Sequence, residues 1–149
     1  MTENELPRMV GINHVALTVG DADEAEEFYT SVFDCEVRGR SDSSVFLDMG
    51  DQFLALSEGD TDADDHRHFG LVVDDPEALD RRLAELGVDR MDIGGFDFRD
   101  PWGNRIQVVA YPEVQFTKAD HVLAGMELEG LDKSETAIAE LAKKGMAPE

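Results

Sequence analysis

The stretch NHVALTV at residues 13–19 returns as RHFGLVV at 67–73, and FLD at Phe46–Asp48 returns as FRD at Phe98–Asp100, at nearly the same offset. A chain that states one pattern of strands and a helix twice must build two similar half-sheets, and neither buries its apolar face without the other. The duplication predicts an α+β fold of two paired βαβββ modules, with a curved mixed sheet around one cleft. Module one runs over about residues 10–58 and module two over about 66–111, within a single domain of 149 residues. An arm from 112 to 149 lies beyond the repeat.

Local signals agree with this order. INHVALTV is rich in β-branched residues, and DADEAEEFYTSVF follows with Ala25, Phe28, Tyr29 and Val32 at helical spacing behind an Asp21/Glu24 capping box. CEVRG, SVFLDM and QFLALS supply three short strands, separated by turn residues. After the acidic linker EGDTDADDH, the second helix has Asp75 as N-cap and Pro76 in its first position. Leu79, Leu83 and Leu86 form its stripe, and Gly87 stops it. GFDFRD and NRIQVVA complete module two, with a doubtful strand around Arg90 to Ile93. The arm is irregular until a last helix, which Asp132 and Glu135 open with a second capping box and Lys143, Lys144 and Gly145 end.

Strand parity converts the repeat into a candidate site. Val15, Leu17 and Val19 share one face, so His14, Ala16 and Thr18 face the other way. In module two Phe69, Leu71 and Val73 pack inward and leave His68 and Gly70 outward, and Ile106 and Val108 leave Gln107 beside them. Three polar side chains from three strands therefore share a face. Phe46, Phe53 and Phe98 are either core or wall of the same pocket, and Trp102 is a rim or packing residue. His66 in the linker reads as exposed, and His121 has no role. Cys35, the single cysteine, reads as structural and rules out an internal disulfide.

A histidine opening each module and a D-P-x-G-N turn before the last strand, here DPWGNRIQVV, resemble the vicinal oxygen chelate superfamily. That group includes glyoxalase I, bleomycin-resistance proteins, fosfomycin-resistance enzymes and extradiol dioxygenases. The resemblance covers residues 12–110. It implies a divalent metal held by His14 and His68, with a glutamate in the last strand and a further glutamate or glutamine in module one. The metal's vacancies would bind vicinal oxygens of a substrate. Here the glutamate position holds Gln107 and the fourth holds Ala55. Replacing a carboxylate by one neutral carbonyl oxygen weakens a hard-cation site and removes the family's proton-transfer base, unless Asp48 or Asp97 reaches in. A His-His-Gln set admits zinc, iron, manganese, nickel or cobalt.

The chain carries 34 acidic and 13 basic residues, a net charge of −21, which opposes nucleic acid or an anionic membrane as partner. The acids recur along the whole chain, which points to a salt-adapted surface. No run approaches the roughly 20 apolar residues of a membrane span, and the acidic start MTENELPRMV is unlike a signal peptide, so a cytoplasmic protein is expected. The resemblance further implies a small-molecule substrate and a homodimer. Three functions follow: a metal-dependent enzyme of the glyoxalase and dioxygenase type, a metal-free binder like the bleomycin-resistance proteins, and a scaffold that has lost the site. The persistence of both histidines favours the first.

Overall fold

The structure, a computed structural model, describes Ile12 and residues 14–61, 68–93 and 95–148. Residues 62–67 of the linker, His66 among them, lie outside the described residues. Module one contains β1 (His14–Val19), α1 (Ala22–Val32), β2 (Val37–Arg40), β3 (Ser44–Asp48) and β4 (Phe53–Glu58). Module two contains β5 (His68–Val73), α2 (Pro76–Leu86), β6 (Phe98–Arg99) and β7 (Arg105–Ala110). The arm follows with a 3₁₀ turn at Tyr111–Glu113 and the helices α3 (Asp120–Gly125) and α4 (Glu135–Ala142).

The expected α+β duplication is present. Among the described residues strand pairing stays within each module: one sheet has the order β1-β4-β3-β2, the other β5-β7-β6. In both, the first and last strands run parallel, and the hairpin before the last strand is antiparallel. His14 therefore pairs with Phe53, and His68 with Arg105. The strand expected around Arg90 shrinks to a single bridge from Arg90 to Phe98, because its neighbour β6 is only two residues long.

Helix ends obey the chemistry of their caps, with one correction. The Asp21 side chain accepts the Glu24 N–H at 2.8 Å, and Asp75 accepts those of Glu77 and Ala78 at 3.1 Å, so backbone donors that have no partner inside the helix are satisfied. The last helix is capped by Ser134, whose hydroxyl accepts Ala137 N–H at 3.2 Å, and not by Asp132, which lies two residues too early. Leu79 and Leu83 are buried as expected, whereas Leu86, the last residue of α2, is 38% exposed.

The core lies between the sheets and helices. Tyr29 from α1 and Phe98 from β6 are both fully buried there, with Val19, Val45, Leu56 and Ile106. Burying each large apolar side chain contributes about 1.5–3 kcal/mol. Phe98 pairs across the ladder with Ile106, an inward residue, so of the alternatives open to it the structure selects core and not pocket wall. Trp102 also packs against this cluster, seated so closely over Gly20 that a Cβ there would collide with its indole nitrogen. It is a packing residue between modules and borders neither of the two spaces described below.

Candidate functional site

Alternation along the strands puts the predicted residues where parity requires. His14, Ala16 and Thr18 are exposed while Val19 is fully buried, and His68 and Gly70 are exposed while Ile106 and Val108 of the neighbouring β7 are buried. Gln107 is half-buried and pairs with Gly70 two residues along from the His68–Arg105 pair. A Cβ added at Gly70 would meet nothing within 4 Å, so the face beside Gln107 is open.

In module one the same face carries an aromatic cluster. The His14 ring stacks on Phe53 at 4.7 Å and 10°, Phe46 meets Phe53 edge-on at 5.8 Å, and the Arg38 guanidinium lies 4.8 Å from the Phe53 ring centre. Stacking restricts the plane of the imidazole. Phe46 and Phe53 are thus on the histidine face, as expected of pocket residues, although neither borders the large cavity described next.

A cavity of about 1240 Å³ joins the modules and the arm. His14 and His68 both line it, along with Asp34, Cys35 and Asp48 of module one. Phe69 and Leu71 come from β5, and Leu123 and Met126 from the arm. A smaller space of about 340 Å³ follows the seam between β1 and β5, with His68 on its border too. Gln107 lines neither. The structure therefore brings the two histidines to one cavity and leaves Gln107 on the adjoining sheet face.

The acids that the sequence offers as replacement bases behave differently. Asp97 is 3% exposed and clasped by Arg105 through Nε at 3.2 Å and Nη2 at 3.0 Å, so it is a structural anion. Asp48 is half-buried on the cavity wall and accepts only the Gly50 N–H, at 3.2 Å, among the described hydrogen bonds. Burial, then Asp34, then Asp48 push the Cys35 thiol above its ordinary value, which disfavours the thiolate and suits a structural cysteine.

Sequence reasoning missed the device that holds the modules in place. Asp100, 4% exposed, accepts the Tyr29 hydroxyl at 3.0 Å, the backbone N–H of Trp102 at 3.0 Å and of Asn104 at 2.9 Å, and the Asn104 side-chain amide at 2.8 Å. The same Asn104 amide reaches the Thr18 carbonyl at 2.7 Å, so the D-P-W-G-N turn ties module two to both α1 and β1 of module one. Burial and the Asp100 carboxylate hold the Tyr29 phenol well above its usual pKa. The arm's contribution was also missed, since it follows no repeat. Lys133 anchors it by donating to the carbonyls of Tyr111 at 2.7 Å, Val114 at 2.8 Å and Phe116, and Lys118 pairs with Asp51.

The residues present do not make the chelate implied by the resemblance. Among the described residues no three of His, Cys, Asp and Glu converge on a common point, and the two carboxylate positions hold Gln107 and Ala55. Ala55 is buried between Ala16 and Phe46 in the ladder and has no donor atom on its side chain.

Comparison with known proteins agrees with the fold. The family model described as Glyoxalase/Bleomycin resistance protein/Dioxygenase superfamily matches residues 11–108. The metallothiol transferase FosB of Bacillus licheniformis is 24% identical over 116 residues, covering 68% of this chain and 75% of that protein. The solved lactoylglutathione lyase from Agrobacterium tumefaciens is 26% identical with a TM-score of 0.54, covering 71% of this chain and 96% of that one. A variant of the fosfomycin resistance protein FosX from Listeria monocytogenes, solved with Mn(II) and 1S,2S-dihydroxypropylphosphonic acid, is 21% identical with a TM-score of 0.59, covering 69% and 93%. The arm lies outside the matched family span.

Proposed function

The chain belongs to the Glyoxalase/Bleomycin resistance protein/Dioxygenase superfamily, and from that premise we propose that it binds a small oxygenated molecule in the cavity between its modules, without a metal and without breaking a bond. The observation that carries this reading is the cavity itself: about 1240 Å³, walled mainly by apolar side chains, with two equivalent histidines on its border. His14 and His68 would hydrogen-bond ligand oxygens while Phe69, Leu71, Leu123 and Met126 exclude water from the rest. Turnover has less support. Asp97 and Asp100 are committed to structural contacts, and Asp48 is the one candidate base among these three that faces the cavity.

A metal-dependent reading, with His14, His68 and Gln107 as ligands, is favoured by the equivalence of the two histidines and by the Mn(II) in the FosX complex. The donor set weakens it for a hard cation such as Mn(II), because one neutral amide and two imidazoles lack a carboxylate. Association into a homodimer is part of the proposal, as closed two-fold symmetry is the commonest form of self-association. A salt-adapted, cytoplasmic setting fits the net charge of −21. Among the described residues no helix is long and apolar enough to cross a membrane.

Thermal unfolding against a panel of small oxygenated compounds, in chelator and high salt, tests the reading. A ligand at a hundred times its Kd stabilises the folded state by about 2.7 kcal/mol. The expected result is a saturable shift in chelator that His14→Ala with His68→Ala abolishes. Shifts that require added divalent ions would transfer support to the metal-dependent reading.

A further inference from the structure

The arm leaves module two and returns to it, and one lysine closes the base of the loop so formed. The Lys133 ammonium donates to the carbonyls of Tyr111 at 2.7 Å, Val114 at 2.8 Å and Phe116, and lies 3.5 Å from the centre of the Tyr111 ring. Beside it the Ser134 N–H reaches the Pro112 carbonyl at 2.8 Å, and α4 buries Ala137 and Leu141. Charge-assisted bonds to several acceptors, joined to buried apolar contacts, make a firm anchor.

The loop between Phe116 and Lys133 carries α3 and walls the large cavity with Phe116, Lys118, Leu123, Met126, Leu128 and Leu131. Its far side rests on module one at the turn between β3 and β4, and the hold there is of a weaker kind. Lys118, 9% exposed, pairs with Asp51, which is 56% exposed. The Met126 sulfur sits over Gly50, where an added Cβ would stand 2.6 Å from it. Leu123, the one buried residue of α3, packs outside the main core cluster. Ion pairs with an exposed partner hold weakly, and segments with few buried apolar contacts open before the rest of a fold. We propose that residues 116–131 form a lid over the cavity, hinged at Lys133 and latched to module one by Lys118–Asp51 and by Met126 on Gly50. This rests on the cavity being the ligand site, and it makes latch release the step that admits the ligand.

Two readouts on the full chain at fixed high salt test the lid. Native-state amide exchange follows the lid through the N–H groups of Leu123, Met126 and Leu128, which bond within the α3 turn, and the anchor through that of Ile138 in α4. The reaction of Cys35 with N-ethylmaleimide follows access, because this single thiol is half-buried and borders the cavity. Asp51→Ala should speed the lid amides at least threefold and Cys35 labelling by a similar factor, leaving the amides of α4, β4 and β7 unchanged. Met126→Ala, which alters no charge, should speed the lid amides in the same way. Asp42→Ala, an equal change in charge at an exposed turn away from the cavity, should change neither readout. Lys133→Met should speed the α3 and α4 amides together, since it frees the hinge.

Lid and α4 amides that accelerate together in Asp51→Ala, or lid amides indifferent to both latch variants, would overturn the latch. Faster lid exchange with an unchanged Cys35 rate would overturn the gate, and so would equal Cys35 acceleration in Asp42→Ala. Failure of every small oxygenated compound to shift thermal unfolding would instead remove the ligand reading, whatever the lid amides do.

Discussion

Each module turns into its last strand on an aspartate, Asp48 in the first and Asp100 in the second. Each turn carries one glycine in the left-handed region, Gly50 at φ 91° and Gly103 at φ 86°. The surroundings of the two acids differ. Asp100 is buried and accepts four hydrogen bonds, one from α1 of the other module, whereas Asp48 accepts one and borders the cavity. Both turns also send a side-chain amide to the first segment of module one, one to β1 and one to Ile12, two residues before it. Asn104 holds the Thr18 carbonyl from module two at 2.7 Å, and Gln52 holds the Ile12 carbonyl at the other end, also at 2.7 Å. One copy of the duplicated acid has been drawn into the fold, and its counterpart is left where a ligand can meet it.

The largest effect should come from Asp100→Ala. It strands the Tyr29 hydroxyl in the core and strips the turn of its acceptor, and each buried group left unsatisfied costs about 1–3 kcal/mol. A loss of roughly 3 kcal/mol or more is expected in chemical denaturation at fixed high salt. Asp48→Ala should cost less than about 1 kcal/mol, since it removes a single bond to a half-buried group. Comparable losses for the two would break the asymmetry.

Tyr29→Phe should cost about 1–2 kcal/mol at neutral pH and should change how stability depends on alkali. Because the folded-state pKa of Tyr29 is raised, its contribution is complete below the unfolded value near 10 and declines as pH rises from there through the folded value. The gap between wild type and Tyr29→Phe should therefore narrow above about pH 10. A gap independent of pH would contradict the buried phenol's role.

The smallest effect concerns Gly70, which stands in module two where module one has Ala16. With nothing within 4 Å of an added Cβ, Gly70→Ala should be neutral or stabilise by up to about 1 kcal/mol, by relieving the entropy cost of glycine in a strand. Gly20→Ala, which drives a methyl into Trp102, should cost about 1–3 kcal/mol.

The same asymmetry explains what was legible. Period-two alternation and matched motifs located β1, β5 and β7 to within a residue or two. The helix caps at Asp21 and Asp75 were readable because capping depends on local backbone donors. Parity also placed His14 and His68 on the open face. What escaped depends on distant partners. The repeat made Asp48 and Asp100 look alike, and only Tyr29 and Asn104, arriving from far along the chain, distinguish them. Phe98 and Trp102 were ambiguous for the same reason, since nothing local states whether an aromatic lies over Gly20 or over a cavity. The arm's wall residues follow no repeat and carry no motif, so Leu123 and Met126 gave no sign of lining a site.

Metal analysis of protein purified in high salt without chelator or histidine tag tests the central claim most directly, comparing wild type with His14→Ala plus His68→Ala. We expect metal well below one equivalent in both proteins, even after exposure to divalent salts, because the third donor beside the two imidazoles is the neutral amide of Gln107, which borders neither space that His68 lines. Near-stoichiometric metal in the wild type that disappears in the double variant would contradict this and establish His14 and His68 as ligands of a metalloenzyme.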